Sequence, residues 1–358
     1  MSDSSKGGKR RRQRKPARKS GGAAGPAAPD AALSDALAHH QAGRLAEAEQ
    51  AYRRAIAAGQ ASAALYGNLA TVLAGQGKAD EAIACFREAI EADPRFTDGH
   101  YNIGVLLQEA GRMDEAAAAY AQALAIDPGY FGAHVNLGVV LQDQGRLREA
   151  AESYRRAAEI DPAFAEVHHN LGVVLQALGE PAQAIAAFRR ALDEKPDYVE
   201  ALNGLAISLQ EQGDWSDAIR TFERALEIDP RFAEAVNNLA TLYHRQGRLA
   251  DALASFGRAL DIDPDYAEAH RNLSHVLLLQ GRFAEGWPEF RWRWRCRDFP
   301  SDPRGFSQPH WAGEPLRGKT ILVWGEQGVG DEVQFSGLVP DLQDAGATVV
   351  LESDPRLV

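Results

Sequence analysis

Hydrophobic and polar positions repeat with one fixed period along most of this chain. From about residue 29 to residue 300 the pattern recurs every 34 residues without a gap. Rows of 34 begin at residues 63, 97, 131, 165, 199, 233 and 267, with a weaker row at 29. Apolar columns 7, 8 and 11 of each row fall on one face of a helix, and columns 20, 24 and 27 fall on one face of a second helix. The spacing therefore predicts a helical hairpin in every row.

Four further features predict how each hairpin closes. Small residues in columns 8 and 20 allow the two helices to approach, and an aromatic residue in column 24 fills the space beside them. Glycine occupies column 15 in all seven rows, at Gly77, Gly111, Gly145, Gly179, Gly213, Gly247 and Gly281. A glycine there predicts the left-handed residue that ends the first helix. Proline in column 32 of the first six rows predicts the end of the second helix, because proline lacks an N–H and clashes with the preceding turn.

A single hairpin of this kind cannot bury its apolar face, so neighbouring hairpins should stack into a solenoid. These columns resemble the tetratricopeptide repeat (TPR) family over roughly residues 29–300. The resemblance implies an all-α, right-handed superhelix whose first helices line a concave groove for peptides or partner proteins. We therefore predict a TPR superhelix of about eight repeats over residues 31–300, acting as a protein-interaction module that binds extended polypeptide.

Column 6 supplies the candidate binding residues, which are Asn68, Asn102, Asn136, Asn170, Asn238 and Asn272. A carboxamide both donates and accepts hydrogen bonds, so a row of them can pair with a peptide backbone of any sequence. The column resembles the asparagine ladder of O-GlcNAc transferases, which implies contact with the backbone of a bound chain. The alternative is that asparagine is common in this column in TPRs of every function. Row five breaks the ladder, because Gly204 stands in the column and Asn203 is one residue out of place.

Other polar columns predict the chemical character of the groove. Glutamine recurs in column 12 and acidic residues recur in column 2, at Gln108, Gln142, Gln176, Gln210, Asp98, Glu166, Glu200, Glu234 and Glu268. An acidic, polar surface favours basic or neutral peptides over nucleic acid. Histidines recur in column 4, at His100, His134, His168 and His270. Successive first helices should lie ~8–10 Å apart and zinc–nitrogen bonds are ~2 Å long, so we predict packing roles for them, with no metal site and no cofactor.

The repeat pattern changes composition over residues 283–299. Residues 290–297 alternate apolar and basic as a strand would, whereas Phe283, Trp287, Phe290 and Trp294 follow a helical stripe. We predict a helix with Pro288 in its first turn, forming an aromatic end-cap for the next domain. A proline-rich linker is predicted over residues 301–318, followed by a truncated Rossmann-like α/β fragment over residues 319–358. This fragment reads as a strand at residues 320–324, a glycine loop, a helix to about Ala345 and a strand at residues 348–352.

Residues 311–358 resemble the start of a bacterial glycosyltransferase domain that is similar to lipopolysaccharide heptosyltransferases. The resemblance implies that Asp331 is a catalytic base, while a plain helix N-cap is the alternative role. Gly325, Gly328 and Gly330 predict either a phosphate- or ligand-binding loop or a tight turn. In that family the sugar-nucleotide site lies mainly in the later half, so we expect no sugar transfer by this polypeptide alone. The alternative function is a glycosyltransferase that uses a nucleotide-sugar only when the missing half is supplied.

Charge and composition add the remaining expectations. The chain has 358 residues and a formal net charge of -11, yet its first twenty residues carry nine Lys or Arg against Asp3 alone. We predict that residues 1–30 form a disordered basic tail and linker, with binding to nucleic acid or anionic lipid as the alternative. No run approaches the ~18 apolar residues that cross a bilayer. Two distant cysteines, Cys85 and Cys296, fit a reducing compartment, so a cytoplasmic location is expected.

Overall fold

The computed structural model describes residues 29–296, 299, 311, 314–324 and 338–352 of the chain. It divides into two compact units, Met1–Pro162 and Ala163–Val358.

Helical hairpins make up the first unit, one for each row of the sequence pattern. Its helices are α1 (Pro29–Gln41), α2 (Leu45–Ala57), α3 (Ala63–Gly75), α4 (Ala79–Ala92), α5 (Thr97–Glu109), α6 (Met113–Ile126), α7 (Phe131–Asp143) and α8 (Leu147–Ile160). Odd-numbered helices are the first helices of the hairpins and even-numbered helices are the second.

The second unit continues the same alternation. Its helices are α9 (Ala165–Ala177), α10 (Pro181–Glu194), α11 (Val199–Glu211), α12 (Trp215–Ile228), α13 (Ala233–Arg245), α14 (Leu249–Ile262), α15 (Ala267–Leu279) and α16 (Phe283–Phe290), followed by a 3-10 helix at Arg291–Arg295. The predicted hairpin in each row is confirmed. In both units successive first helices also contact one another, as α3 contacts α5 and α11 contacts α13. The first helices therefore share one face of each unit.

The column-15 glycines end the first helices as predicted. All seven have positive φ angles, with Gly111 at 72°. The N–H of Gly111 donates to the carbonyl of Gln108 at 2.9 Å, and the N–H of Arg112 donates to that of Leu107 at 2.8 Å. These two bonds satisfy carbonyls that would otherwise lack partners at the helix end.

The core of the hairpins forms around the column-24 aromatic ring, except in the last one, where Phe290 is half-buried. Tyr120, Tyr154, Phe188, Phe222 and Phe256 are fully buried. Where column 8 is glycine, the ring lies directly on the backbone, so a Cβ atom added at Gly138 would lie 2.6 Å from the ring of Tyr154. Dispersion contacts of this density, summed over stacked hairpins, supply the apolar stabilisation that no single hairpin achieves.

The last hairpin ends differently from the sequence expectation. Helix α16 begins at Phe283, so Pro288 is its sixth residue and the expectation of a first-turn proline was wrong. Proline removes one helical hydrogen bond and crowds the preceding turn, and the chain tightens into the 3-10 helix directly after Phe290. The Trp292 ring stacks on the His270 ring with centroids 3.9 Å apart, and this contact packs the 3-10 helix against α15.

A small α/β segment follows. Strand β1 (Thr320–Trp324) pairs in parallel with β2 (Thr348–Glu352), and the short helix α17 (Val339–Asp344) precedes β2. Both strands have the predicted bounds. The fold class is thus confirmed as helical TPR-type hairpins followed by a two-stranded parallel sheet. Within the described ranges, no helix combines the length and apolar character that crossing a membrane requires.

Candidate functional site

In the first unit the column-6 asparagines lie on first helices and are half-buried. The Nδ2 of Asn102 donates to the carbonyl of Asp98 in its own helix at 2.8 Å. The Nδ2 of Asn136 lies 3.3 Å from the Tyr101 hydroxyl and 3.4 Å from the Tyr120 hydroxyl, both long contacts. Within the described part of the chain, the Asn68 amide makes no hydrogen bond. Each side chain therefore retains hydrogen-bonding capacity towards solvent or a ligand.

In the second unit the asparagines are joined into one chain of hydrogen bonds. Its four bonds run from Asn272 Nδ2 to Asn237 Oδ1 at 3.1 Å, from Asn237 Nδ2 to Asn238 Oδ1 at 3.5 Å, from Asn238 Nδ2 to Asn203 Oδ1 at 3.1 Å, and from Asn203 Nδ2 to Glu234 Oε1 at 2.9 Å. We call this set the amide chain. All of its bonds donate in one direction and end on a carboxylate, so each bond polarises the next.

Two members of the amide chain lie outside the predicted ladder. Asn203 and Asn237 are only 5% and 4% exposed, whereas Asn238 and Asn272 are half-buried. The buried Asn203 and Asn237 accept hydrogen bonds from the column-6 amides of Asn238 and Asn272 and so fix their orientation. The adjacent Asn237–Asn238 pair and the displaced Asn203 were the available sequence signals. Asn170, in α9, makes no hydrogen bond among the residues that the structure describes.

The gap in the ladder at Gly204 has a steric cause. A Cβ atom there would lie 2.4 Å from the buried ring of Phe188, which belongs to the preceding hairpin. Any side chain at this position would have to displace a ring that has no free space around it. The chain therefore carries its amide one residue earlier, at Asn203.

The column-12 glutamines bind parts of the protein itself. Gln108 and Gln142 accept hydrogen bonds from the hydroxyls of Tyr120 and Tyr154, at 2.8 and 3.2 Å. Phe188 offers no hydroxyl in the corresponding place, and there Gln176 donates to the carbonyl of Gly204 at 3.0 Å. These three glutamines thus stabilise the hairpins through hydrogen bonds within the protein.

Two of the column-4 histidines bond to the turns between hairpins. His134 Nε2 lies 3.0 Å from the Pro128 carbonyl, and His270 Nε2 lies 2.9 Å from the Pro264 carbonyl. His270 also pairs with Glu289. No cluster of three His, Cys, Asp or Glu suited to a metal ion occurs among the described residues.

His169 predicts a pH dependence of folding. Its ring packs 4.9 Å from Tyr198 and 5.7 Å from Phe188, centroid to centroid, and its buried Nδ1 has no partner in the described residues. Burial lowers the pKa of His169. The His169 ring therefore takes up a proton more readily in the unfolded chain than in the folded one. The free energy of unfolding is at its full value above the ordinary histidine pKa of about 6.5 and falls as the pH drops below it.

We expect the free energy of unfolding to decrease between pH 7 and pH 5 in urea titrations, and His169→Phe to flatten that decrease. Burial also lowers the pKa of His100. The pH dependence of the free energy of unfolding in His100→Phe is therefore the comparison from the first unit. A pH profile identical in wild type and His169→Phe contradicts the assignment.

The residues predicted for sugar chemistry, Gly325, Gly328, Gly330 and Asp331, lie outside the described residues. Their roles stay predictions.

Comparison with protein families decides the identity of the repeats. A tetratricopeptide repeat profile matches residues 15–63, 68–131, 203–267 and 250–290, and a second one matches residues 163–231. A third profile, described as TPR repeat, matches residues 140–179. The chain belongs to the tetratricopeptide repeat family. It is a TPR protein–protein interaction module, and the comparisons do not support an O-GlcNAc-transferase-like or heptosyltransferase-like assignment.

Similar proteins agree at the level of the repeats. Protein FlbA of Caulobacter vibrioides is 40% identical over 63 residues, which is 17% of this TPR chain and 10% of FlbA. The match thus spans about a tenth of that relative. The C-terminal part of a TPR repeat-containing protein from Cytophaga hutchinsonii is 19% identical, with a TM-score of 0.56 over 66% of this chain and 98% of that one. A tetratricopeptide repeat protein from Parabacteroides merdae is 19% identical, with a TM-score of 0.54 over 64% and 91% of the two chains. These two structures show the shared fold.

Proposed function

We propose that this TPR module holds an extended polypeptide along the shared face of its first helices, with the column-6 asparagines bound to the backbone of the guest. The observation that carries the proposal is the placement of these amides. All six are half-buried on first helices, and Asn136, Asn238 and Asn272 are also hydrogen-bonded to neighbouring side chains. Preorganised polar groups lose less conformational entropy when they bind.

Donors and acceptors that the amide chain does not use internally support the same role in binding a peptide backbone. Asn238 uses one N–H on Asn203, which leaves its second N–H for a ligand, whereas Asn272 Nδ2 donates to Asn237 and also lies 3.5 Å from Thr241 Oγ1. The Oδ1 atom of Asn272 accepts no bond from the described residues. An extended peptide presents carbonyl and N–H groups in alternation, so it can use both the donor and the acceptor.

The charge of the face favours basic or neutral guests. Of the column-2 acids, Asp98, Glu166, Glu200 and Glu234 are exposed and Glu268 is half-buried. Their field attracts cationic segments and repels nucleic acid. We therefore assign a basic or neutral polypeptide as the partner.

The test is binding of fluorescein-labelled, capped dodecapeptides, selected on a basic and neutral peptide array and measured by fluorescence anisotropy with the full chain. We expect Asn68→Ala and Asn170→Ala each to weaken binding by about threefold to tenfold, since one or two hydrogen bonds are lost. Neither amide is bonded within the described part of the protein, so the melting temperature should stay unchanged.

Gln122→Ala is the matched control, because it removes an exposed amide from a second helix, α6. It should leave affinity unchanged. Equal affinity of wild type and the Asn68→Ala/Asn170→Ala double variant would overturn the ladder. N-methylation of the peptide backbone should reproduce the loss of affinity in wild type.

The glycosyltransferase alternative has one structural feature in its favour, the parallel pairing of β1 and β2 across a connection that contains α17. Many folds share such a unit. The comparisons do not support it, and we do not include sugar transfer in the proposed function.

A further inference from the structure

We propose that Asp98, Tyr101 and Tyr130 in the first unit form a binding site for a lysine ammonium group of the bound polypeptide. We call these three residues the Tyr–Asp site. The inference rests on the proposed function, because it assigns one side-chain subsite on the same face.

The Tyr–Asp site brings two half-buried tyrosine rings together with one exposed carboxylate, and the Tyr101 ring also lies 5.8 Å from that of Tyr120. The Tyr101 and Tyr130 rings lie 4.9 Å apart, centroid to centroid, with planes inclined by 37°. The Tyr130 hydroxyl donates to Asp98 Oδ1 at 2.9 Å. Asp98 is exposed and forms no ion pair among the described residues. Aromatic faces beside an unpaired carboxylate attract a cation both through the ring quadrupole and through the full charge.

The second unit has a lysine beside the corresponding tyrosine and acid, with His169 in the column of Tyr101. Tyr198 and Glu166 occupy the columns of Tyr130 and Asp98, two rows further along the chain. There Lys195 Nζ lies 4.4 Å from the centroid of the Tyr198 ring and 4.0 Å from Glu166 Oε1. In this hairpin, a tyrosine in column 34 and an acid in column 2 thus lie beside an ammonium group.

The first unit differs from the second at two positions near this site, and both differences favour binding of a cation from a ligand. Column 31, which holds Lys195 in the second unit, holds Asp127 in the first. The cation is therefore replaced by a further negative charge. Column 2 of the following row holds Gly132 where the other hairpin has Glu200, and a Cβ at Gly132 would lie only 3.2 Å from the Tyr101 hydroxyl. Glycine at this position makes room for the second aromatic ring.

The Tyr–Asp site adjoins the asparagine column. Asn136 Nδ2 lies 3.3 Å from the Tyr101 hydroxyl, and Asn102 follows Tyr101 directly in α5. A chain whose backbone is held by these amides can therefore place one side chain against the two rings. A lysine reaches such a place through its flexible apolar stem.

The experiment uses the full chain labelled with ¹³C in its tyrosine rings and titrated with N-acetyl-lysine methylamide, followed by NMR. We expect saturable shifts of the Tyr101 and Tyr130 ring resonances, assigned through the Tyr→Phe variants, and none with N-acetyl-norleucine methylamide. Asp98→Asn should weaken the interaction by about threefold to tenfold. Glu166→Gln is the matched control in the second unit and should leave it unchanged.

A second variant tests the comparison with Lys195 directly. Asp127→Lys places an ammonium group in the column of Lys195 and should abolish the shifts, whereas Asp127→Asn removes the charge alone and should retain them. Absence of lysine-specific shifts in wild type, or equal shifts in Asp127→Lys, would overturn the site. Because the probe carries no extended backbone, this failure is distinct from failure of the asparagine ladder, which the dodecapeptides report.

Discussion

Replacing Asn203 with alanine is expected to lower the free energy of unfolding by about 2–3 kcal/mol, because the buried amide accepts one hydrogen bond and donates another to a carboxylate. Its removal leaves the half-buried Asn238 amide without its acceptor and opens a small cavity at a position that is 5% exposed. The measurement is urea unfolding followed by circular dichroism, with hydrogen exchange of the α11 amides as the local readout.

Asn272→Ala provides the comparison at the other end of the amide chain. Asn272 is half-buried and donates only at its Nδ2, so we expect a loss of about 1 kcal/mol or less. A double-mutant cycle of Asn203 with Asn238 should show a coupling energy of at least about 0.5 kcal/mol, because the two share a bond. Additive effects, or equal costs at Asn203 and Asn272, would show that the amides act independently.

Gly204→Ala is expected to destabilise the protein by about 1–3 kcal/mol through overpacking. The new methyl group would lie 2.4 Å from the Phe188 ring, which is fully buried and cannot withdraw without disturbing its own hairpin. The readout is the urea midpoint, with the exchange rates of the α10 and α11 amides showing where the damage lies.

Gly257→Ala is the matched control, because this glycine lies inside α14 and a Cβ there meets nothing within 4 Å. Alanine is the better helix former by about 0.5–1 kcal/mol, so this variant should be neutral or more stable. The same substitution is thus expected to lower the free energy of unfolding at Gly204 but not at Gly257. A stabilised Gly204→Ala would refute the steric explanation of the gap in the ladder.

Much of the fold followed from the sequence because its determinants are local. The glycine that ends each first helix, the proline after each second helix and the aromatic ring between them lie within one row. The bounds of β1 and β2 were equally clear, since short apolar β-branched runs between turn residues leave few alternatives.

Features that depend on contact between rows were harder to predict. The row pattern presents Asn203 as a break in the ladder, but in the structure it accepts from Asn238 and donates to Glu234. The column pattern predicts that the glutamines line the groove. It does not reveal that the hydroxyl of a tyrosine twelve residues later donates to Gln108. Pro288 was placed in a first turn because the sequence alone did not fix where α16 begins.

The contacts of Gly138 and Gly204 differ in one consequential way. Gly138 fits the ring of its own hairpin, so this fit is kept when that hairpin is duplicated or exchanged. Gly204 fits a ring of the hairpin before it, and Asn203 bonds to residues of the hairpin after it. Residues 199–228 are therefore tied to both neighbours, and an exchange of cassettes at this point of the array has to move three hairpins together.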